Sequence, residues 1–182
     1  LEFCFIYNEI MFRVSCIQLN SNNSIKQNLT ETTKLIKKAI IQKTDFILTP
    51  EVSSLFSLNK KQLLANCTSM KKDFYLIGIK KLAKFYKKWI LIGSLIIKIK
   101  KNKLVNRSVL VNPKGLIVSY YDKIHMYDAK LSKKEFYFES KTFSAGKKTK
   151  VVQLPWGKLG LAICYDLRFP NMFRKMSKKG AL

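Results

Sequence analysis

From Phe12 to Leu19 apolar and polar positions alternate, with β-branched residues among them, the period-two pattern of a first strand. Turn and cap residues follow at Asn20 to Ser24. From Ile25 to about Lys43 the apolar Ile25, Leu29, Leu35, Ile36, Ala39 and Ile40 recur at helical spacing, with lysines on the other side, which predicts an amphipathic helix. Phe46 to Thr49 is short and almost wholly apolar, as in a strand buried on both faces, and it ends at Pro50-Glu51. Strand, helix, strand in this order implies a parallel pair. Residues 60 to 88 carry mixed helical patterns, broken near Asp73 to Gly78, and lead into a further buried strand, Trp89 to Ile97. Leu104 to Asn112 and Leu116 to Tyr121 flank Pro113-Lys114-Gly115, the chemistry of a tight hairpin turn. An irregular, basic stretch covers about 126 to 148. Val151 to Leu154 and Leu159 to Ile163 then flank Pro155-Trp156-Gly157, a second hairpin whose last arm runs into Cys164, and Pro170 to Lys179 reads as a helix. No internal repeat or low-complexity linker divides the chain, so the pattern predicts one α/β domain with a mixed sheet.

Composition changes this picture little. With 182 residues, 47% of them hydrophobic, the chain can bury a core without disulfide or metal staples. Its longest apolar stretch, Trp89 to Ile97, is far shorter than the roughly 20 residues of a bilayer-spanning helix, so no membrane partner is expected. The net charge of +24 would ordinarily suggest a polyanionic partner. However, 31 of the 35 basic residues are lysines spread along the whole chain and only 4 are arginines, the residue suited to bidentate phosphate and base contacts. Ile and Asn are abundant too, and all three residue types have A/T-rich codons. Nucleotide bias therefore accounts for the charge, and no specific nucleic-acid partner is expected. The four cysteines, Cys4, Cys16, Cys67 and Cys164, are widely and irregularly spaced, which argues against a disulfide framework, and with His125 as the single histidine no catalytic metal is expected. The opening LEFCFIYNEIMF lacks a basic leader and a small-residue cleavage site, so a cytoplasmic location is the default, with residues 1–10 an extension upstream of Met11.

Three positions invite chemistry. Cys164 lies where an apolar strand gives way to a polar turn and a helix, a place that exposes a nucleophile and aims backbone N–H groups, notably that of Tyr165, beside it; a free cysteine is nonetheless more often an inert core residue. Glu51 lies at the carboxyl end of a buried parallel strand, the edge where open α/β sheets gather their sites. Lys123 follows the strand Leu116 to Tyr121, but spacing alone does not distinguish it from the other lysines.

Taken together, PEVSSLF, YYDKIHMYDA and LGLAICYDLRFPNMFR, in this order and at these separations, resemble the nitrilase (carbon–nitrogen hydrolase) superfamily, whose enzymes use a Glu-Lys-Cys triad. The resemblance covers residues 12 to 182 and is nearest the Nit-type amidases, with Arg-Phe-Pro after the cysteine leaning toward the deaminated-glutathione type. It implies an αββα sandwich with mixed central sheets that continues past the nucleophile helix. Residues 11–182 would then be the N-terminal portion of the domain, with the C-terminal part missing. It makes Glu51 the general base, Lys123 the oxyanion-stabilising cation and Cys164 the nucleophile, with the Tyr165 N–H as second oxyanion donor and Glu139 in support. His125 and Asn106 would be architectural, and Asp166 and Arg168 would form an ion pair or a hydrogen-bonded turn. The implied reaction is thiol-dependent hydrolysis of a small carboxamide, deaminated-glutathione-like or an ω-amide, to acid and ammonia, without cofactor or metal. Nitrile or N-carbamoyl substrates, or a truncated inactive remnant, stay open as alternatives, and the resemblance implies a homodimer for a complete chain. Departures from the family pattern are Val52-Ser53 after the glutamate, Met126-Tyr127 after the histidine and Asn171-Met172 after the cysteine motif.

Overall fold

A computed structural model describes residues 11–130, 132 and 135–181; the extension expected at residues 1–10 lies outside them. A five-stranded sheet is ordered β1 (Val14–Cys16), β2 (Phe46–Leu48), β3 (Trp89–Lys100), β4 (Lys103–Val111), β5 (Ile117–Asp122). The first three strands are parallel and the last three antiparallel, which is the expected mixed sheet. Between β1 and β2 runs α1 (Ile25–Ile41), started by the Ser24 side chain accepting from the Gln27 N–H.

The helical region after β2 divides into α2 (Lys60–Asn66) and α3 (Phe74–Tyr86). The break falls before Asp73 and not across Asp73 to Gly78, because the Asp73 carboxylate caps α3 by accepting the Leu76 N–H at 2.7 Å. Gly78 sits inside α3, where Leu29 of α1 packs over its bare Cα. The stretch expected to be irregular also holds structure, a short hairpin of β6 (Asp128–Lys130) and β7 (Phe136–Phe138) followed by a 3-10 turn at Glu139–Lys141. All three residues of β7 are exposed, so no burial pattern marks it. A last hairpin, β8 (Lys150–Leu154) and β9 (Gly157–Leu161), leads through a 3-10 turn at Cys164–Arg168 into α4 (Pro170–Ser177).

Strand alternation sorts these elements into layers. Ile47, Ile90 and Ile92 face α1 and α3, packing on Ile36, Ala39, Tyr75, Ile79 and Ala83. Phe46, Leu91, Leu110 and Tyr121 face the other way, onto Leu154, Leu161 and Ile163 of the β8–β9 hairpin and its exit. α4 covers the outer face of that hairpin: a Cβ built on Gly160 would lie 3.0 Å from the Met176 sulfur. The order is helix, sheet, sheet, helix. Among the described residues no helix is long and apolar enough to cross a membrane.

Candidate active site

Glu51 follows Pro50 where β2 ends. The chain turns sharply there, and Val52 takes φ 54°, a left-handed conformation that is costly for a β-branched residue. The turn presses against β3 at the irregularity between Ile92 and Leu95. Gly93 lies in that irregularity, and a Cβ on it would stand 2.1 Å from the Thr49 carbonyl oxygen and 2.6 Å from the Pro50 carbonyl carbon. The approach that seats Glu51 thus requires a residue with no side chain.

Lys123 comes directly after β5, its N–H bonded to the Asn106 carbonyl at 2.9 Å. It is 2% exposed, and its Nζ donates to Glu51 Oε1 at 3.0 Å and to Glu139 at 2.9 Å (Oε2) and 3.0 Å (Oε1). Burial by itself would push its pKa down, but the hydrogen bond to Glu139 and the charges of Glu51 and Glu139 outweigh that, and the net shift is upward. The ammonium is therefore locked in its charged form. Asn106 on β4 donates Nδ2 to Glu51 Oε1 at 2.8 Å and reaches Glu139 Oε1 at 3.5 Å. Its Oδ1 is buried without a hydrogen-bond partner among the described residues, so the amide is oriented by the two carboxylates at the expense of its own oxygen. Glu139, in the 3-10 turn after β7, also accepts the Tyr127 N–H at 2.7 Å, tying the base of the β6–β7 hairpin to the lysine.

Cys164 opens the 3-10 turn beyond β9 and takes φ 45°, the second strained non-glycine residue of the site. Its thiol pKa is raised, first by partial burial, then by the charge and hydrogen bonding of Glu51 and the charge of Glu139; Lys123 opposes them. The thiol therefore rests protonated, beside a carboxylate able to accept its proton. The first hydrogen bond of the turn runs from the Asp166 N–H to the Ile163 carbonyl, so the Tyr165 N–H stands ahead of it, with no acceptor among the described residues.

Asp166, fully buried, joins the cysteine turn to the lysine loop. Its carboxylate accepts the Ile163 N–H at 3.0 Å, the Tyr121 hydroxyl at 2.7 Å and the His125 N–H at 3.0 Å, and stands 2.7 Å from His125 Nδ1. The His125 ring stacks on Phe169 with centroids 3.6 Å apart. Of the two arrangements expected for Asp166 and Arg168, the hydrogen-bonded turn is present and the ion pair is not. Asp166 is engaged with the lysine loop, while Arg168 is exposed and has no ion-pair partner among the described residues. Tyr121 was not singled out by sequence, since nothing but its place in a strand distinguishes it. Its hydroxyl donates to Asp166 and accepts the Ile124 N–H at 3.1 Å, and its pKa is pushed up by burial and then by the Asp166 bond.

Among the described residues no three His, Cys, Asp or Glu side chains are grouped so as to hold a metal ion. A groove of about 550 Å³, lined by Lys147, Lys148, Lys175 and Lys179 among others, adjoins this constellation through His125 and Phe169 but touches none of Glu51, Lys123, Glu139 and Cys164. The structure thus brings Glu51, Lys123, Glu139 and Asn106 into direct contact, sets Cys164 within the influence of Glu51, and gathers His125 and Asp166 behind them.

Residues 13–182 match the family model described as carbon–nitrogen hydrolase. Among curated relatives, the chain is 30% identical over 171 residues to a deaminated glutathione amidase of Yersinia enterocolitica, covering 92% of this chain and 59% of that protein. It is 28% identical over 176 residues to the omega-amidase NIT3 of Saccharomyces cerevisiae, covering 93% of this chain and 60% of that protein. The chain thus spans about 60% of the length of these relatives. The crystal structure of the C. elegans NitFhit protein superposes with a TM-score of 0.82 at 26% identity, over 92% of this chain and 41% of that one. An amidase from Nesterenkonia sp. shares the fold with a TM-score of 0.79 at 22% identity, over 93% of this chain and 62% of that one.

Proposed function

Because the chain belongs to the carbon–nitrogen hydrolase family, we propose that it is a thiol-dependent amidohydrolase cleaving a small carboxamide to acid and ammonia, with Glu51, Lys123 and Cys164 as its triad. The observation that carries this reading is the buried Lys123 ammonium held between Glu51 and Glu139 beside a strained, exposed cysteine. Glu51 accepts the thiol proton as Sγ attacks the amide carbonyl carbon, so no standing thiolate is needed. The developing oxyanion meets the Lys123 ammonium and the Tyr165 N–H, a stabilisation worth several kcal/mol in a site with little water. Glu51 then returns the proton to the departing ammonia and afterwards takes one from the water that hydrolyses the Cys164 thioester, which releases the free acid. Glu139 shares Lys123 with Glu51, so the cation keeps a fixed position when Glu51 is protonated and loses its charge. His125 and Asp166 hold the lysine loop against the cysteine turn.

The similarity to a deaminated glutathione amidase and to an omega-amidase supports a small amide as the substrate class. The test is release of the free acid, with ammonia from primary amides or the amine from secondary ones, across a panel of such amides, with nitriles and N-carbamoyl amino acids alongside, and mass spectrometry for an acyl adduct on Cys164. Cys164→Ala abolishes turnover with the fold intact. Turnover that survives this substitution overturns the mechanism, and preference for a nitrile or N-carbamoyl compound overturns the substrate class.

A further inference from the structure

The peptide units on either side of Glu51 are gripped by side chains that take no part in the proposed reaction. Ser53 and Ser94 are fully buried and Thr49 is nearly so. The Ser53 hydroxyl donates to the Pro50 carbonyl at 2.6 Å, and having one proton it must accept from the Thr49 hydroxyl at 2.8 Å. Thr49 in turn accepts the Gly93 N–H at 3.2 Å. On the other side of Glu51, the Val52 N–H donates to the Ser94 hydroxyl at 2.8 Å. The Ser94 N–H reaches the Pro50 carbonyl at 3.2 Å and its carbonyl accepts the Ser53 N–H at 3.0 Å. The backbone donors of this set and the Ser53 and Thr49 hydroxyls each have an acceptor, and the set closes around one residue. It holds Val52 at its positive φ, which leaves the Glu51 side chain free to engage Asn106, Lys123 and Cys164.

We infer that Ser53 and Ser94 are positioning residues for Glu51, clamping the peptides before and after it so that its carboxylate reaches the thiol. Resting on the proposed function, this assigns a role to Ser53 at a place where the sequence departs from the family pattern. Removing either hydroxyl takes one hydrogen bond from a peptide of the turn and lets it relax toward ordinary φ, and the carboxylate moves away from Cys164 without any change in charge.

The test follows the rate of Cys164 alkylation by iodoacetamide against pH, read by mass spectrometry of the Cys164 peptide so that the other cysteines do not interfere. Wild type, Glu51→Gln, Ser53→Ala and Ser94→Ala are compared, each with its melting temperature. The Glu51 charge keeps the thiol protonated, so Glu51→Gln moves the midpoint to lower pH. Ser53→Ala is expected to move it the same way by a smaller step, and to lower kcat for amide hydrolysis on the order of tenfold with KM nearly unchanged. A Ser53→Ala profile that coincides with wild type while Glu51→Gln is displaced overturns the inference and leaves the proposed function standing. A Glu51→Gln profile that coincides with wild type overturns the proposed pairing of Glu51 with Cys164, and the clamp with it. If Ser53→Ala does not fold, Ser94→Ala decides by the same criterion.

Discussion

Substituting Gly93 by alanine tests how the site is held without touching any residue of the triad. The new Cβ would lie 2.1 Å from the Thr49 carbonyl oxygen and 2.6 Å from both the Pro50 carbonyl carbon and its oxygen, all backbone atoms. Contacts under 3.0 Å essentially do not occur for real Cβ atoms, so β3 and the Glu51 turn must separate by roughly 1 Å, a displacement that costs on the order of a hundredfold in rate. Overpacking of this kind destabilises by about 1–3 kcal/mol. Gly78→Ala is the control, because its Cβ would meet chiefly the tip of the Leu29 side chain, at 2.5 Å, which can rotate away. Helix propensity also favours alanine over glycine by about 1 kcal/mol inside α3, so Gly78→Ala is expected within about 1 kcal/mol of wild type. Urea unfolding of both variants, with ammonia release measured in parallel, separates the cases. Wild-type stability and turnover in Gly93→Ala would refute the reasoning, because the turn could then sit elsewhere without consequence.

Other substitutions probe the remaining contacts. Asp166→Asn turns an acceptor-only group among three donors and a histidine into one carrying its own donors, and should cost about 1.5–3 kcal/mol in urea unfolding, since hydrogen bonds to a charged group are lost. Glu139→Gln removes one of the two anions on Lys123; the Lys123 pKa should fall, and the high-pH limb of the kcat/KM profile should move down with it. An unmoved high-pH limb would count against that pairing. The Asp73 carboxyl is pushed above the ordinary aspartate value of 3.8, first by burial, so the folded state holds its proton more tightly than the unfolded state does. Its contribution is therefore most favourable below 3.8 and declines as pH rises through the folded value. Asp73→Asn keeps a good helix cap and removes this decline. The difference in unfolding free energy between variant and wild type should accordingly shift in favour of the variant between pH 3 and pH 7, and a pH-independent difference would refute the assignment.

What could be read from the sequence follows from where burial is periodic. β2, β3 and the β4–β5 hairpin stand out because apolar runs and a Pro-Lys-Gly turn are local signals. β6 and β7 do not, since they pair through their backbones with side chains exposed at every position but Ala129. The break before α3 is hard to place because Gly78 looks like a helix breaker in sequence, whereas it lies inside α3 with Leu29 covering it. The site is harder still. Lys123 is one of 31 lysines and, among the described residues, the one that is buried, a distinction made by Glu51, 72 residues earlier, and Glu139, 16 residues later. Only the three motifs in register selected it. Asp166 and Arg168 suggested each other by adjacency, but one is turned into the junction between two loops and the other is left in solvent.

The seclusion of Lys123 separates the protein's surface charge from its chemistry. Amine-acylating reagents require an accessible, unprotonated amine, and Lys123 is both enclosed and held as its cation. Acetylation of the other 30 lysines would carry the formal net charge from +24 to −6, and abolish nonspecific adhesion to polyanions, while the ammonium between the two glutamates escapes. The lysine content then belongs to colloidal behaviour, and a single amine belongs to the site.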